Sequence, residues 1–216
     1  MPKKILDIYD EYKIMPQLRD HMFRVASVAS LICDNFSEKL PKEEIITACL
    51  LHDLGNIIKF DLKQTKHSIN MDIDLDFWEK VQKEFKERYG EKEHDATLQI
   101  LKEIGVSKNV LDLVEIVDFS EVFDILDKII EKQIVLYADS RADPFGIVSI
   151  EERLEEGRNR YKNRKNQPTD EHWELAKKSL LKLEKNIFSK CKIKPEDINN
   201  KTVAPIISSL KDFVVK

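Results

Sequence analysis

Apolar residues recur along this chain at the three- and four-residue spacing of a helical face, and almost no segment alternates as a half-buried strand would. Pro16 suits the first turn of a helix running to about Phe36, with Leu18, Met22, Val25, Ala29 and Ile32 on one face. Pro41 opens a second helix whose inner stripe is Ile45, Ala48, Cys49 and His52, and Gly55 is expected to end it as a left-handed cap. Residues 56–75 lack a period and carry Lys59, Asp61, Lys63, Lys66 and His67, which predicts a polar loop. A helix over 76–89 follows, with Phe77, Val81 and Phe85 inward and Gly90 as its stop; another over 94–104 is stopped by Gly105. Ser107 caps a helix to about Asp118. Ser120 caps a longer one, carrying Ile125, Ile129 and Leu136 towards Asp139 until Pro144 halts it. Ser149 and Glu152 then form a capping box. A long helix over 169–190 places Trp173, Leu180, Leu183 and Ile187 near one face, and a turn at Pro195 leads to a last helix with Pro205 near its start.

These elements predict an all-α fold, and composition narrows it further. Five glycines and seven prolines are too few for the many turns of an all-β chain. With 216 residues, 42% hydrophobic and 35% charged, the chain can bury one sizeable core. Its richest apolar run, Ile45 to Leu51, falls far short of the roughly 20 residues a membrane span requires. Charge interrupts the first residues, Met1 to Asp7, at once, so no secretory leader is expected. The net charge of −4 argues against a dedicated nucleic-acid binder. Three cysteines without metal spacing, two of them (Cys33 and Cys49) in apolar stretches, fit reduced thiols and a cytoplasmic location. The polar, basic stretch over 157–170 is the most linker-like of the chain, and a core, residues 1–148, and a helical appendage, residues 149–216, are expected to pack as one compact unit. The apolar stripe of that appendage must pack on the core or on a second copy of the chain.

Candidate chemistry begins with Leu50-Leu51-His52-Asp53-Leu54-Gly55, where an imidazole and a carboxylate close a buried apolar stripe. A buried carboxylate needs a partner or a cation. Neighbouring helical side chains diverge by about 100°, so the pair cannot simply satisfy itself, but at a helix end both can turn to a common ion. His21 lies between Leu18 and Val25 on the inner face of its helix, and Asp139 lies three residues after Leu136 on another. Two imidazoles and two carboxylates from three helices suit a divalent transition metal with open positions.

Asp20-His21-Met22-Phe23-Arg24-Val25-Ala26, the His52-Asp53 signature and Tyr137-Ala138-Asp139-Ser140-Arg141 together resemble the HD-domain superfamily of metal-dependent phosphohydrolases, over about residues 16–145. The resemblance implies a helical domain in which His21, His52, Asp53 and Asp139 bind a divalent ion (Mn, Fe, Co, Ni, Zn or Mg) and phosphoester bonds are hydrolysed. It also implies that Asp53 or Asp139 orients or deprotonates the attacking water. His94 matches the first station of a second metal in binuclear members. Where the second station falls, near Val117-Asp118, this chain offers Asp118 in place of histidine. Lys59, Lys66 and Arg141 are candidates to neutralise phosphate oxygens, and Asp61 with Lys66 stands at spacings similar to polar groups of the nucleotidase-like members. Those members use Glu as acid/base just after the signature, where this chain has Asn56, which transfers no proton.

The expected activity is therefore metal-dependent hydrolysis of a phosphomonoester or nucleotide phosphate, with a phosphorylated small molecule or nucleotide as partner. Asn56 and the missing histidines keep open a degenerate HD domain that binds without turnover. A third alternative is a nucleic-acid module using the basic run Arg158 to Lys165 around Tyr161. His67 and His172 are expected at the surface.

Overall fold

The computed structural model describes residues 2–63, 74–115, 122–162 and 168–216. Among these residues the chain forms ten α-helices and one two-stranded ribbon, an all-α fold. In chain order they are β1 (Lys3–Lys4), α1 (Ile5–Glu11), α2 (Pro16–Asn35), α3 (Lys42–Leu51), α4 (Leu75–Tyr89), α5 (Glu93–Ile104), α6 (Lys108–Val114), α7 (Ile130–Asp139), α8 (Ile150–Tyr161), α9 (Asp170–Phe188), α10 (Asn200–Leu210) and β2 (Val214–Val215). None is long and apolar enough to cross a membrane.

Local chemistry explains most boundaries. Pro16 occupies the first turn of α2, where its missing N–H leaves no bond unmade. Ser107 and Thr169 accept backbone N–H groups at the starts of α6 and α9, and the Ser149–Glu152 capping box makes both reciprocal bonds. Gly105 ends α5 at φ 81°, the left-handed region that favours glycine.

Packing centres on α2 and α3. They pack against each other, α7 lies against both, and α6 covers α3. α9 packs on α7 and α8, while α10 lies along α2. Trp173, Ala176, Leu180, Leu183 and Ile187 of α9 join the same continuous apolar core as Val25, Leu50 and Val135. The chain ends meet: β1 and β2 pair antiparallel, Lys3 opposite Val215.

Several expectations are corrected. The stretch Ile5–Glu11, to which the hydrophobic pattern assigns no element, is helical, and the Tyr9 hydroxyl donates to the Leu50 carbonyl at 2.7 Å, tying α1 to the end of α3. α7 begins at Ile130 rather than near Ser120; Ser120 lies outside the described residues, Ile125 sits in a short 3-10 turn, and Ile129 is exposed. α7 also stops at Asp139, well before Pro144. Phe77 points largely to solvent, while Val81 and Phe85 are buried as expected. Part of the expected polar loop is a 3-10 turn, Asn56–Lys59, with Asn56, Ile57 and Ile58 buried, held by the Gln82 side-chain amide, which donates to the Ile57 and Phe60 carbonyls. Pro205 stands inside α10 rather than near its start.

Gly55 is corrected in its reason. Its φ of −88° is open to any residue, so no left-handed cap is made. What excludes a side chain is α5: a Cβ would lie 2.3 Å from the Glu93 carbonyl oxygen and 2.9 Å from both Ala96 Cβ and Thr97 N. The Gly55 N–H donates to Thr97 Oγ1 at 2.9 Å. Gly55→Ala should therefore push α5 off the signature turn and cost about 1–3 kcal/mol, as overpacking does. The urea midpoint should fall accordingly, and an unchanged midpoint would refute this packing.

Candidate metal centre

Three helices deliver the four polar side chains to one place. His21 stands on the second turn of α2, His52 and Asp53 at the end of α3, and Asp139 is the last residue of α7. His21 Nε2 lies 2.9 Å from Asp139 Oδ1 and 3.7 Å from Asp53 Oδ2. His52 Nε2 lies 3.4 Å from Asp139 Oδ1 and 3.6 Å from Asp53 Oδ1. One donor atom each from His21, His52 and Asp53 fall within 4.8 Å of one another, a group that could hold a metal ion.

These spacings bear on what the group can hold. Ligand atoms about 2.1 Å from one ion sit roughly 3.0–3.4 Å apart in octahedral or tetrahedral arrangement, close to the observed separations. His52 gives the sharper indication. Its Nδ1 lies 2.8 Å from the Cys49 carbonyl, which can only accept, so Nδ1 carries a proton and Nε2 faces the carboxylates. Nε2 is buried and has no hydrogen-bond partner. A buried nitrogen left unsatisfied costs stability unless something else binds it, and a cation among two imidazoles and two carboxylates would do so.

Electrostatics agree. Burial alone would lower the His52 pKa, but Asp53 and Asp139 outweigh it and raise the group to about 9. Burial would likewise raise Asp139, yet His21 and His52 hold it well below the usual carboxylate range.

The remaining expected site residues separate. His94, in the first turn of α5, belongs to no donor cluster among the described residues. Asp118, Lys66 and His67 lie outside the described residues. Lys59 Nζ is 3.4 Å from Glu93 Oε1 at the end of the 3-10 turn, and Asp61 is exposed just beyond it. Arg141 is placed away from the surface expected of a phosphate ligand: its side chain is buried and donates to the Val148, Pro195 and Ile198 carbonyls and to the Tyr137 hydroxyl. A basic residue passed over in the sequence is Arg24, one turn after His21 on α2. Its Nη1 donates to the Pro144 carbonyl at 3.3 Å, five residues past Asp139. The three-residue step from His21 is the signal that marks it. In the basic run, Arg158 pairs with Asp170 and Arg160 with Glu156, which neutralises charge that a nucleic-acid track would use. His172 is half-buried, its ring edge-on to Phe123.

An α-helical domain whose converging helices bring together a buried His52 and the partly buried His21, Asp53 and Asp139 defines the class of protein. The chain belongs to the HD domain family, whose profile matches residues 18–142 and so includes all four of these side chains. No curated protein and no solved structure gives a significant match.

Proposed function

We propose that this protein hydrolyses a phosphomonoester or nucleotide phosphate at a divalent-metal centre held by His21, His52, Asp53 and Asp139. The observation that carries this reading is the buried, partnerless His52 Nε2 facing two carboxylates at ligand spacing. A divalent cation in such a site supplies Lewis acidity towards a phosphoryl oxygen and acidifies a water molecule. The chain's own groups do the rest. The Cys49 carbonyl fixes the His52 tautomer. Asp139 keeps its charge because both imidazoles face it. Asp53, 3.6–3.7 Å from each ring, is the carboxylate placed to orient and deprotonate the attacking water. Arg24 takes the phosphate-neutralising role in place of Arg141, with Lys59 at the neighbouring loop, where Asp61 is a polar group for binding the rest of the substrate.

The location we propose is cytoplasmic, in keeping with three free cysteines. We further propose that residues 149–216 work as one unit with residues 1–148, and that a second copy of the chain is a candidate partner.

The test is metal content of the purified protein together with hydrolysis of a generic aryl phosphate. Bound metal and metal-stimulated turnover are expected, and His52→Ala should reduce both to background. Protein with neither would refute the proposal. One observation favours a second reading, a domain that binds its ligand without turnover: Asn56, buried directly after the signature, offers no proton-transfer group. Tight metal and nucleotide binding with no hydrolysis would support that alternative.

A further inference from the structure

Two residues beyond Asp139, Arg141 carries a positive charge into the core. Its Nε donates to the Val148 carbonyl at 2.5 Å and its Nη1 to the Tyr137 hydroxyl at 2.5 Å. Its Nη2 reaches the Pro195 and Ile198 carbonyls at 3.3 and 3.2 Å. The Tyr137 hydroxyl donates in turn to Glu184 Oε2 at 2.6 Å, and that carboxylate lies 3.7 Å from Arg141 Nη1. The guanidinium therefore joins the end of α7, the chain just after it, α9 and the turn before α10.

A second tie reinforces the first. The Ile147 N–H donates to Asn200 Oδ1 at 2.9 Å, and a Cβ on Gly146 would lie 2.8 Å from the same oxygen. Between these ties the chain folds back on itself. The Ala142 N–H donates to the Asp139 carbonyl at 3.2 Å, and the Val148 N–H to the Arg141 carbonyl at 2.9 Å. Residues 195–200 thus hold Arg141 and Ile147, at the two ends of the turn that follows Asp139.

A buried ion pair is a weak source of stability compared with well-packed apolar side chains, and its better-attested use is to select one geometry. Here the selected geometry is the end of a helix whose last residue belongs to the candidate metal centre. We infer that Arg141 is a positioning residue through which the C-terminal segment, residues 195–200, holds Asp139 in place for the cation, an inference that rests on the metal reading above. Displacing that segment would then loosen the metal centre without touching a ligand.

The experiment compares full-length Arg141→Lys, Asn200→Ala and Leu154→Ala with the wild type. Arg141→Lys keeps the charge but loses the fork; Asn200→Ala removes the second tie; Leu154→Ala lowers stability from α8. Two readouts are taken: Mn²⁺ affinity by titration calorimetry, and the ring-nitrogen resonances of His21 in metal-free protein, which report its 2.9 Å contact with Asp139. Arg141→Lys should weaken Mn²⁺ binding about tenfold, the usual size for a residue supporting a ligand, and should shift the His21 resonances. Asn200→Ala should move both in the same direction, and Leu154→Ala should move neither.

Unchanged affinity and unchanged resonances in Arg141→Lys would overturn the inference, as would an equal change in Leu154→Ala. If Arg141→Lys does not fold, Asn200→Ala decides by the same two readouts. A wild type that binds no Mn²⁺ would refute the metal reading itself, and the His21 resonances would still decide whether the brace holds Asp139.

Discussion

Chelation of divalent cations should lower the melting temperature of the wild-type protein by roughly 5–10 °C and leave that of Asp53→Ala nearly unchanged. A ligand that binds only the folded state stabilises it by about 2.7 kcal/mol at 100 times its dissociation constant. For a chain of this size each kcal/mol moves the midpoint by about 2–4 °C. Asp53 faces both imidazoles of the centre, so its removal should abolish tight metal binding and with it the chelator response. The variant should remain folded, because Asp53 lies beyond the last turn of α3 and is partly exposed, so its removal opens no cavity in the apolar core. Thermal melts of both proteins with and without chelator check this. Equal shifts in the two would exclude Asp53 as a ligand.

Truncation after Gly157 should give insoluble protein or one without a cooperative unfolding transition. The cut removes Trp173, Leu180, Leu183 and Ile187, all buried, and each large apolar side chain is worth roughly 1.5–3 kcal/mol when taken out of water. Whole domains are stable by only about 5–15 kcal/mol. The cut also exposes the faces of α7 and α2 that α9 and α10 cover, and deprives Arg141 of the Pro195 and Ile198 carbonyls. Solubility, size-exclusion behaviour and a melt of the shortened chain decide it. A soluble, monomeric product of undiminished stability would show that residues 1–157 fold without the appendage.

Much of the centre was legible in the amino-acid pattern because three of its four side chains, His21, His52 and Asp139, sit on apolar stripes of regular spacing. His21 falls between Leu18 and Val25, and Asp139 a turn after Leu136, so helical geometry alone turns them inward. The short helix α1 was not legible: its seven residues are too few for periodicity to declare itself, and Ile5, Ile8 and Tyr9 are buried by contacts made elsewhere. The early part of the segment leading to α7 misled for a related reason. Ile125 and Ile129 fit the helical period, yet the chain there takes a 3-10 turn and leaves Ile129 in solvent.

The sequence by itself determined the all-α class, most caps and the inward aim of His21, His52 and Asp139, since these follow from local propensity and periodicity. Tertiary structure decided why Gly55 must be glycine and where Arg141 goes. Gly55 makes room for Glu93, Ala96 and Thr97 of α5. Arg141 finds its acceptors at Pro195 and Ile198, more than fifty residues further along the chain. Helical spacing can say that a side chain leaves a given face, but a long flexible cation ends wherever packing brings unsatisfied carbonyls within reach, and only the folded chain supplies them.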